Sequence, residues 1–304
     1  MVTFRLSSWR PLWPVILVLF LMVRTWPARA DIDNFDDSDD QGWTHYNPIN
    51  TGSWTFPNRA YRIQSAVSPI PSQLGPGRAG SQRTIESYSA FYVAVDLVTW
   101  DNLLNEVFGL SARVSDPGPG TTKGYAFVYN TRGGAGSGQV GLIRITSEDV
   151  SALAAVNLPL LPNQTYRFIF SGALGQLNGQ VFAVTNLSVP LATVSATDGT
   201  YASGSVGLFT YANASGNLGT ADVTFDNFEF KELTPQLIIE KDSASSDVRL
   251  SWPDWAAAYR LERSDALPIT GWDDLGNQFP NIDGRIIAFD DTSRAQAFYR
   301  LTKP

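Results

Sequence analysis

The chain has one histidine and no cysteine, and this limits the chemistry that its side chains can perform. A Ser-His-Asp centre would have to use His45 as its base, and no Gly-x-Ser-x-Gly motif in a strand–turn–helix context supplies the nucleophile. A zinc site would have to consist almost entirely of carboxylates, whereas zinc prefers thiolate and imidazole ligands. The sequence therefore argues against nucleophilic and zinc catalysis, and we predict that His45 is a surface residue without a catalytic role.

Carboxylates are the remaining groups with catalytic potential. Glycoside hydrolysis needs two of them facing each other across a cleft at about 5–10 Å. On a strand, carboxylates that share a face are separated by an even number of residues. The acids of the strand-like segments, Asp96, Glu106 and Asp222, have no acidic neighbour two residues away. We therefore predict a protein that is not an enzyme, and a glycoside hydrolase is the enzymatic alternative.

The aromatic residues favour carbohydrate binding. An aromatic face packs against the apolar side of a pyranose, while amides and carboxylates bond its hydroxyls. Trp100 ends a strand and precedes Asp101-Asn102, which suits an exposed position at the rim of a loop. Tyr125 and Tyr129 share one strand face with Phe127 between them. We select Trp100, Tyr125 and Tyr129 as candidate ligand-binding residues; the alternative for the tyrosines is a core between two sheets.

These side chains must be positioned by β-strands, because nearly the whole chain after residue 30 has the pattern of short strands. Phe91–Trp100 is rich in β-branched and aromatic residues and alternates between two faces. Similar segments, separated by clusters of Gly, Pro, Asn and Asp, are 107–114, 124–130, 138–145, 165–171, 179–185, 204–211 and 221–231. Only Ser147–Val156 has a plausible helical turn, with Ser147 as its N-cap. The pattern predicts an all-β fold, an antiparallel sandwich or barrel.

A domain boundary is predicted near Leu233-Thr-Pro235. The strand-like segment 223–230 ends the first module, and a second series of such segments begins at Leu237. We assign residues 31–232 to the first module and residues 236–304 to a small second β-module.

Residues 1–30 have the pattern of a signal peptide. Arg5 and Arg10 precede an apolar run from Leu12 to Val23, and Ala28-Arg29-Ala30 supplies small residues for a cleavage site. The run is shorter than the roughly 20 residues of a spanning helix, which favours cleavage over an uncleaved anchor. We expect a mature protein that is secreted, periplasmic or on the cell surface, with no membrane span.

The mature chain is acidic. Residues 1–30 contain four arginines and no acidic residue, so their removal changes the formal charge from −7 to −11. Such a surface repels phosphate backbones and anionic lipids, which argues against nucleic-acid binding. Because the chain has no cysteine, it has no disulfide and must bury a full core or bind a stabilising metal.

The first module resembles the concanavalin A-like, laminin-G-like jelly rolls of exported bacterial proteins. The resemblance rests on the order and spacing of motifs across residues 31–231. They are Asp33-Asn-Phe-Asp-Asp37, Gly42-Trp43, Gly52-Ser-Trp-Thr-Phe56, Ala60-Tyr-Arg-Ile63, Phe108-Gly-Leu-Ser-Ala-Arg113, Gly124-Tyr-Ala-Phe127, Gly204-Ser-Val-Gly-Leu-Phe209 and Phe225-Asp-Asn-Phe228. The resemblance implies a jelly-roll sandwich that binds a polysaccharide or a cell-surface glycan. It leaves open a hydrolase of the same fold and a purely structural envelope or matrix component.

The same resemblance implies a structural Ca²⁺. In related carbohydrate-binding jelly rolls the first and last strands lie side by side and hold the ion between two acidic residues. Carried over to this chain, these residues are Asp36 and Asp226. Asp33, Asp31 and backbone carbonyls would complete the oxygen shell that Ca²⁺ requires. The alternative is that these carboxylates are solvated turn residues.

The second module resembles a short fibronectin type III-like repeat. The matching segments are Leu250-Ser-Trp-Pro253, Tyr259-Arg-Leu-Glu262, Gly271-Trp272 and Phe298-Tyr-Arg-Leu301. The resemblance implies that Trp252 is the buried aromatic between two sheets and that Tyr299 packs in the last strand. It implies a spacer or cell-surface adaptor with no catalytic role.

Overall fold

The computed structural model describes residues 31–133, 137–241, 247–266, 269, 271–291 and 296–303, with the backbone alone for residues 84–88. The predicted signal peptide, residues 1–30, lies outside the described residues. The described residues contain no helix that is long and apolar enough to cross a membrane. The chain forms two compact units that divide between Thr234 and Pro235.

The first unit consists of two antiparallel sheets. Its strands are β1 (Asp31–Asp33), β2 (Trp43–Tyr46), β3 (Gly52–Thr55), β4 (Tyr61–Ser65), β5 (Arg78–Tyr88), β6 (Phe91–Trp100), β7 (Glu106–Ser115), β8 (Lys123–Asn130), β9 (Gln139–Thr146), β10 (Asp149–Asn157), β11 (Tyr166–Ala173), β12 (Gln176–Ala183), β13 (Ala192–Thr197), β14 (Gly204–Ala212) and β15 (Ala221–Glu232). Helix α1 (Pro71–Leu74) and the 3-10 turns Pro57–Arg59 and Ser215–Asn217 lie in the connections.

The two sheets form a jelly-roll sandwich. The eight-stranded sheet has the order β13-β12-β11-β6-β15-β4-β3, with β1 paired to β15, and the seven-stranded sheet has the order β10-β9-β8-β7-β14-β5-β2. The predicted all-β antiparallel sandwich is therefore confirmed.

The core lies between the two sheets and is filled by alternate residues of each strand. In β8, Tyr125, Phe127 and Tyr129 belong to this core, whereas Ala126 and Val128 belong to a separate cluster on the outer face of the sheet. Strands of both sheets contribute phenylalanines with little or no exposed surface, namely Phe91, Phe108, Phe168, Phe170 and Phe225. The period-2 pattern of the sequence has its physical origin in this alternation.

The second unit also consists of two sheets. Its strands are β16 (Ile238–Lys241), β17 (Val248–Pro253), β18 (Arg260–Ser264), β19 (Asp273–Gly276), β20 (Asn281–Ile282), β21 (Arg285–Asp290) and β22 (Phe298–Thr302), with a 3-10 turn at Asp254–Ala256. The strand order is β16-β17-β21-β20 in the four-stranded sheet and β19-β18-β22 in the three-stranded sheet. Trp252 is fully buried in this unit, and Tyr299 packs against the same core and donates its hydroxyl to Asp290 at 2.9 Å. The likeness to a fibronectin type III-like repeat stays a prediction.

A buried carboxyl group links the two sheets of the first unit. Glu106 begins β7 of the seven-stranded sheet and has no exposed surface. Its Oε2 accepts the N–H of Asp222, in β15 of the eight-stranded sheet, at 2.6 Å. Burial is the main cause that raises the pKa of Glu106 to about 8, and the charges of Asp222 and Asp101 add to it. Glu106 is therefore mostly protonated at neutral pH.

Replacing Glu106 by Gln is expected to flatten the pH dependence of stability. Because the folded-state pKa of this acid is raised, its stabilising contribution is present at low pH and is lost as the pH rises from about 4.5 to about 8. Gln keeps an acceptor for the Asp222 N–H and never ionises. Above pH 8 the Glu106→Gln variant should therefore melt at a higher temperature than the wild type, and the two should converge in acid.

A Glu106→Leu variant separates the hydrogen bond from the charge in this experiment. It also removes the acceptor, so it should be less stable than Glu106→Gln by about 1–3 kcal/mol. Melting curves across the same pH range measure both effects, and equal pH slopes for the wild type and Glu106→Gln would contradict a protonated Glu106.

A chain that ends at Thr234 is expected to fold by itself. The unit boundary falls after this residue, and the aromatic core of the first unit lies within the remaining chain. The truncated protein should melt cooperatively and keep the near-ultraviolet dichroism of its buried aromatics. A non-cooperative melt would show that the first unit needs the second for its stability.

Candidate functional site

The outer face of the seven-stranded sheet carries a groove of ≈ 550 Å³, here called the outer-face groove. Gln82 of β5 and Ser111 of β7 line it and form what is here called its floor. Both residues face Gly207 of β14, and Phe209 of the same strand lies between Gly80 and Gly109. The three glycines do not themselves line the groove.

An aromatic pair stands beside this floor. Phe209 and Tyr211 are two residues apart on β14 and line the groove, whereas Leu208 between Gly207 and Phe209 points into the core. The two ring planes are 8° apart, with centroids 6.3 Å apart. Burial raises the pKa of Tyr211 to about 12, so the hydroxyl stays protonated and can donate a hydrogen bond. The pair presents two nearly parallel apolar faces with one polar end.

Aliphatic side chains form another wall of the groove. Ile143 and Ile145 of β9, Val150 of β10 and Leu74 of α1 line it. Ile145 and Val150 are cross-strand partners, so their side chains lie next to each other on one face. Ile143 also packs with Val107, Ala126 and Val128 in an apolar cluster on this outer face.

An ion pair crosses the groove at its rim. The Nε and Nη2 of Arg78 donate to the two carboxylate oxygens of Glu148, both at 2.7 Å. Arg78 lies in β5, whereas Glu148 lies in the turn after β9, four strands away in the sheet order. Along a flat sheet this separation would be roughly 19 Å. The sheet and the β9–β10 turn must therefore curl towards each other over the floor.

Further hydrogen bonds complete this rim. The Tyr46 hydroxyl donates to Glu148 and also bonds the Thr122 hydroxyl at 3.0 Å. The Gly120 N–H donates to Glu148 at 2.6 Å. We call Tyr46, Arg78, Thr122 and Glu148 the rim cluster. Burial favours a higher pKa for Glu148, but the bonds from Arg78, Gly120 and Tyr46 outweigh it and hold the pKa below its usual range.

The turn that carries Glu148 has an unusual backbone. Ser147 and Glu148 have φ angles of 52° and 69°, in the left-handed region. Two-residue hairpin turns of this kind favour Asn-Gly or Asp-Gly, because other residues are strained there. The bonds of Glu148 to Arg78, Tyr46 and Gly120 compensate for this strain.

The three aromatic residues selected from the sequence lie in the core and not in the outer-face groove. Trp100, Tyr125 and Tyr129 are 5%, 0% and 1% exposed. Tyr125 donates its hydroxyl to Asp198 at 2.7 Å, and Tyr129 accepts the Leu160 N–H at 3.1 Å. Trp100 borders a separate open groove, but its ring packs among core aromatics. These positions do not suit a ligand platform, because the inward phase of each strand places the rings between the sheets.

The aromatic pair that lines the groove is not among the three residues that the sequence analysis selects for ligand binding. Phe209 and Tyr211 alternate with Val206, Leu208 and other inward residues of β14. The alternation along β14 therefore allows the outward direction of these two rings to be predicted from the sequence, since the smaller apolar residues of the same segment already supply the core. Their pairing with Gly80 and Gly109 cannot be predicted in this way, because register between strands far apart in sequence is not contained in a local pattern.

The three predicted calcium ligands lie near one another but are each engaged elsewhere. Asp33 accepts the Phe35 N–H at 3.0 Å and the Trp43 Nε1–H at 2.7 Å. Asp36 accepts the Asn34 amide at 2.6 Å, and Asp226 accepts the Asn227 N–H at 2.7 Å.

The carboxylates around Asp226 nevertheless repel one another. Burial, followed by the charges of Asp96, Asp36 and Asp33, raises the pKa of Asp226. Among the residues with described positions, no group of three or more His, Cys, Asp and Glu is arranged to hold a metal ion. The donor set does not fit Ca²⁺ as it stands, and calcium stays a prediction that would require these side chains to turn.

Acidic groups in the outer-face groove are Glu148 and its neighbour Asp149. Glu148 is held ionised by Arg78, whereas the acid of a glycosidase needs a raised pKa. Glu106 has a raised pKa but no exposed surface. His45 lies in β2, stacks on Trp54 with ring centroids 3.9 Å apart and bonds Asp40.

No protein-family model matches the chain, and no curated protein matches it. Among solved structures, the chain is similar to the carbohydrate-binding module CBM66 from Bacillus subtilis, with 17% identity, a TM-score of 0.47 and coverage of 63% of this chain and 96% of that one. Lectin II from Ulex europaeus is 9% identical, with a TM-score of 0.46 and coverage of 68% and 99%. A prokaryotic β-1,3-1,4-glucanase derived from a mouse hindgut metagenome is 12% identical, with a TM-score of 0.48 and coverage of 67% and 99%.

Removing the charge of Asp226 is expected to stabilise the protein in the presence of EDTA. A carboxyl group with a raised folded-state pKa is unfavourable when ionised, so its cost is present at neutral pH and disappears in acid. Asp226→Asn should therefore melt at a higher temperature than the wild type in EDTA at neutral pH. Asp37→Asn, at an exposed acid of the same opening segment, is the matched control and should have little effect.

Added Ca²⁺ tests the metal hypothesis in the same samples. A bound ion raises the melting temperature of the wild type by mass action, and the Asp226→Asn variant should not respond. A wild type whose melting temperature is unchanged by Ca²⁺ would remove the calcium hypothesis. The comparison in EDTA tests the electrostatics of Asp226 independently.

Proposed function

We propose that the first unit binds a glycan in the outer-face groove, with Phe209 and Tyr211 as its aromatic platform. The observation that carries this proposal is the nearly parallel ring pair, which lines the groove together with the polar side chains of Gln82 and Ser111. A groove of ≈ 550 Å³ lies within the usual range for small-ligand sites. Sugar rings pack their C–H faces on such aromatic rings.

Polar groups for sugar hydroxyls lie beside the aromatic pair. The hydroxyls of Tyr211 and Ser111 and the amide of Gln82 line the groove. Gln82 and Ser111 face Gly207 from the two neighbouring strands, so they lie on one transverse row of the floor. Their spacing across the sheet provides donors and acceptors on both sides of a bound ring.

Charge favours a neutral glycan. The chain carries a formal charge of −7. Arg78 lines the groove at its rim, and its positive charge is neutralised by the ion pair with Glu148. A uronic or sulfated sugar would meet no unpaired cation in the rim cluster and would be repelled at long range. We therefore expect neutral hexoses rather than acidic polysaccharides.

The remaining expectations accompany this proposal as hypotheses. The signal-peptide pattern of residues 1–30 supports an exported protein. The second unit would then serve as a spacer or adaptor. Calcium would support the first unit without contacting the ligand, since Asp36 and Asp226 do not line the outer-face groove. A hydrolase of the same fold stays the alternative.

Replacing Phe209 by Ala is expected to weaken glycan binding by about tenfold, because one stacking face is lost. The test titrates the mature protein with a panel of neutral oligosaccharides by calorimetry. Tyr92→Ala is the matched control, since Tyr92 is a partly buried aromatic on β6 of the other sheet, where it packs under Lys231.

Two results of this titration would contradict the proposal. One is that no glycan of the panel binds the folded wild type. The other is that a bound glycan is lost equally in the Phe209→Ala and Tyr92→Ala variants, which would place its site elsewhere.

A further inference from the structure

The part of the outer-face groove farthest from the ring pair along the sheet is aliphatic. Ile145 and Val150 face each other across β9 and β10, three or four strands from Phe209 in β14. Val150 is 49% exposed although it lines a concavity. Leu74 of α1 lines the same groove. A ligand that fills the groove therefore meets an aromatic pair and an aliphatic surface, and one apolar cluster of the outer face supports both.

The rim cluster near this aliphatic surface is already hydrogen-bonded. Within it, the guanidinium of Arg78 is bonded to both oxygens of Glu148 and to the carbonyls of Leu74 and Pro76. The Tyr46 hydroxyl is bonded to Glu148 and Thr122. The side chains of Ile145 and Val150 offer no hydrogen bond, so sugar hydroxyls buried against them would lose water without gaining partners, which is unfavourable. An apolar group has no such cost.

We propose that the ligand of the outer-face groove joins a neutral sugar to an apolar substituent, an alkyl or acyl chain that packs against Ile145 and Val150. The inference rests on the proposed function and narrows its substrate class. The sugar ring takes the floor beside Phe209 and Tyr211. The substituent extends over β8 and β9 to the aliphatic wall.

The test compares alkyl glycosides that differ only in chain length. Methyl, butyl and hexyl glycosides of glucose, galactose and mannose are titrated into the mature protein, residues 31–304, by calorimetry. Affinity should rise about fourfold for each methylene that the aliphatic wall buries. 1-Hexanol alone is titrated as the sugar-free probe and should bind far more weakly than the hexyl glycosides.

Two valines on one strand provide the variant and its matched control. Val150 and Val156 both lie on β10 and are 49% and 39% exposed, but only Val150 lines the groove. Val150→Ser should lower the affinity for the hexyl glycoside about threefold to tenfold and leave the methyl glycoside unchanged. Val156→Ser should affect neither. Because both side chains are exposed, the two variants should melt like the wild type.

The outcomes separate this inference from the proposed function. If methyl and hexyl glycosides bind equally well, the apolar substituent is overturned while glycan binding stands. If no glycoside and no oligosaccharide binds, the result contradicts both the apolar substituent and the proposed glycan binding. If 1-hexanol binds as tightly as the hexyl glycosides, the sugar contributes nothing, and the combined ligand is overturned as well.

Discussion

The packing of aromatic side chains between the two sheets is the interaction on which the rest of the first unit depends. The chain has no cysteine, so burial of apolar surface must hold the sandwich together without covalent links. Strand alternation then commits one face of β7, β8 and β14 to this core. The opposite face of the same strands carries a second apolar cluster, against which Phe209 and Tyr211 pack. The place of the groove on the outer face is thus a consequence of which face of each strand the core takes.

Glu106 and Glu148 are both removed from water, but the protein accommodates their charges in different ways. Glu106 has no cation beside it, and burial keeps its proton on at neutral pH. Glu148 is also partly buried, but Arg78 and two further donors keep it ionised. The first arrangement joins two sheets through a neutral group. The second holds a strained turn over the floor through a charged one, and both avoid an unpaired buried charge.

The strand pattern was sufficient to predict the sandwich, because alternation is a local property of each segment. The strand pattern gave a wrong prediction where a local signal for a helix competes with pairing to a neighbouring strand. Ser147–Val156 has a plausible N-cap for a helix, but Asp149–Asn157 is a strand that pairs with β9, and Ser147 lies in the hairpin turn. The shared face of Tyr125, Phe127 and Tyr129 suits a ligand platform and a core equally well, and the structure places this face in the core. The floor opposite Phe209 depends on the register of β5 and β7, which no segment specifies by itself.

The outer-face groove is complete only after the rim cluster has formed. The bonds of Glu148 reach Arg78, 70 residues earlier in the chain, and Tyr46, 102 residues earlier. Contacts of such sequence separation form only when distant parts of the chain have been brought together, at a cost in loop-closure entropy. The aromatic platform comes later still in the chain, on β14. A partly folded or incompletely synthesised chain therefore has no assembled groove, so the proposed glycan binding would be a reporter of correct refolding.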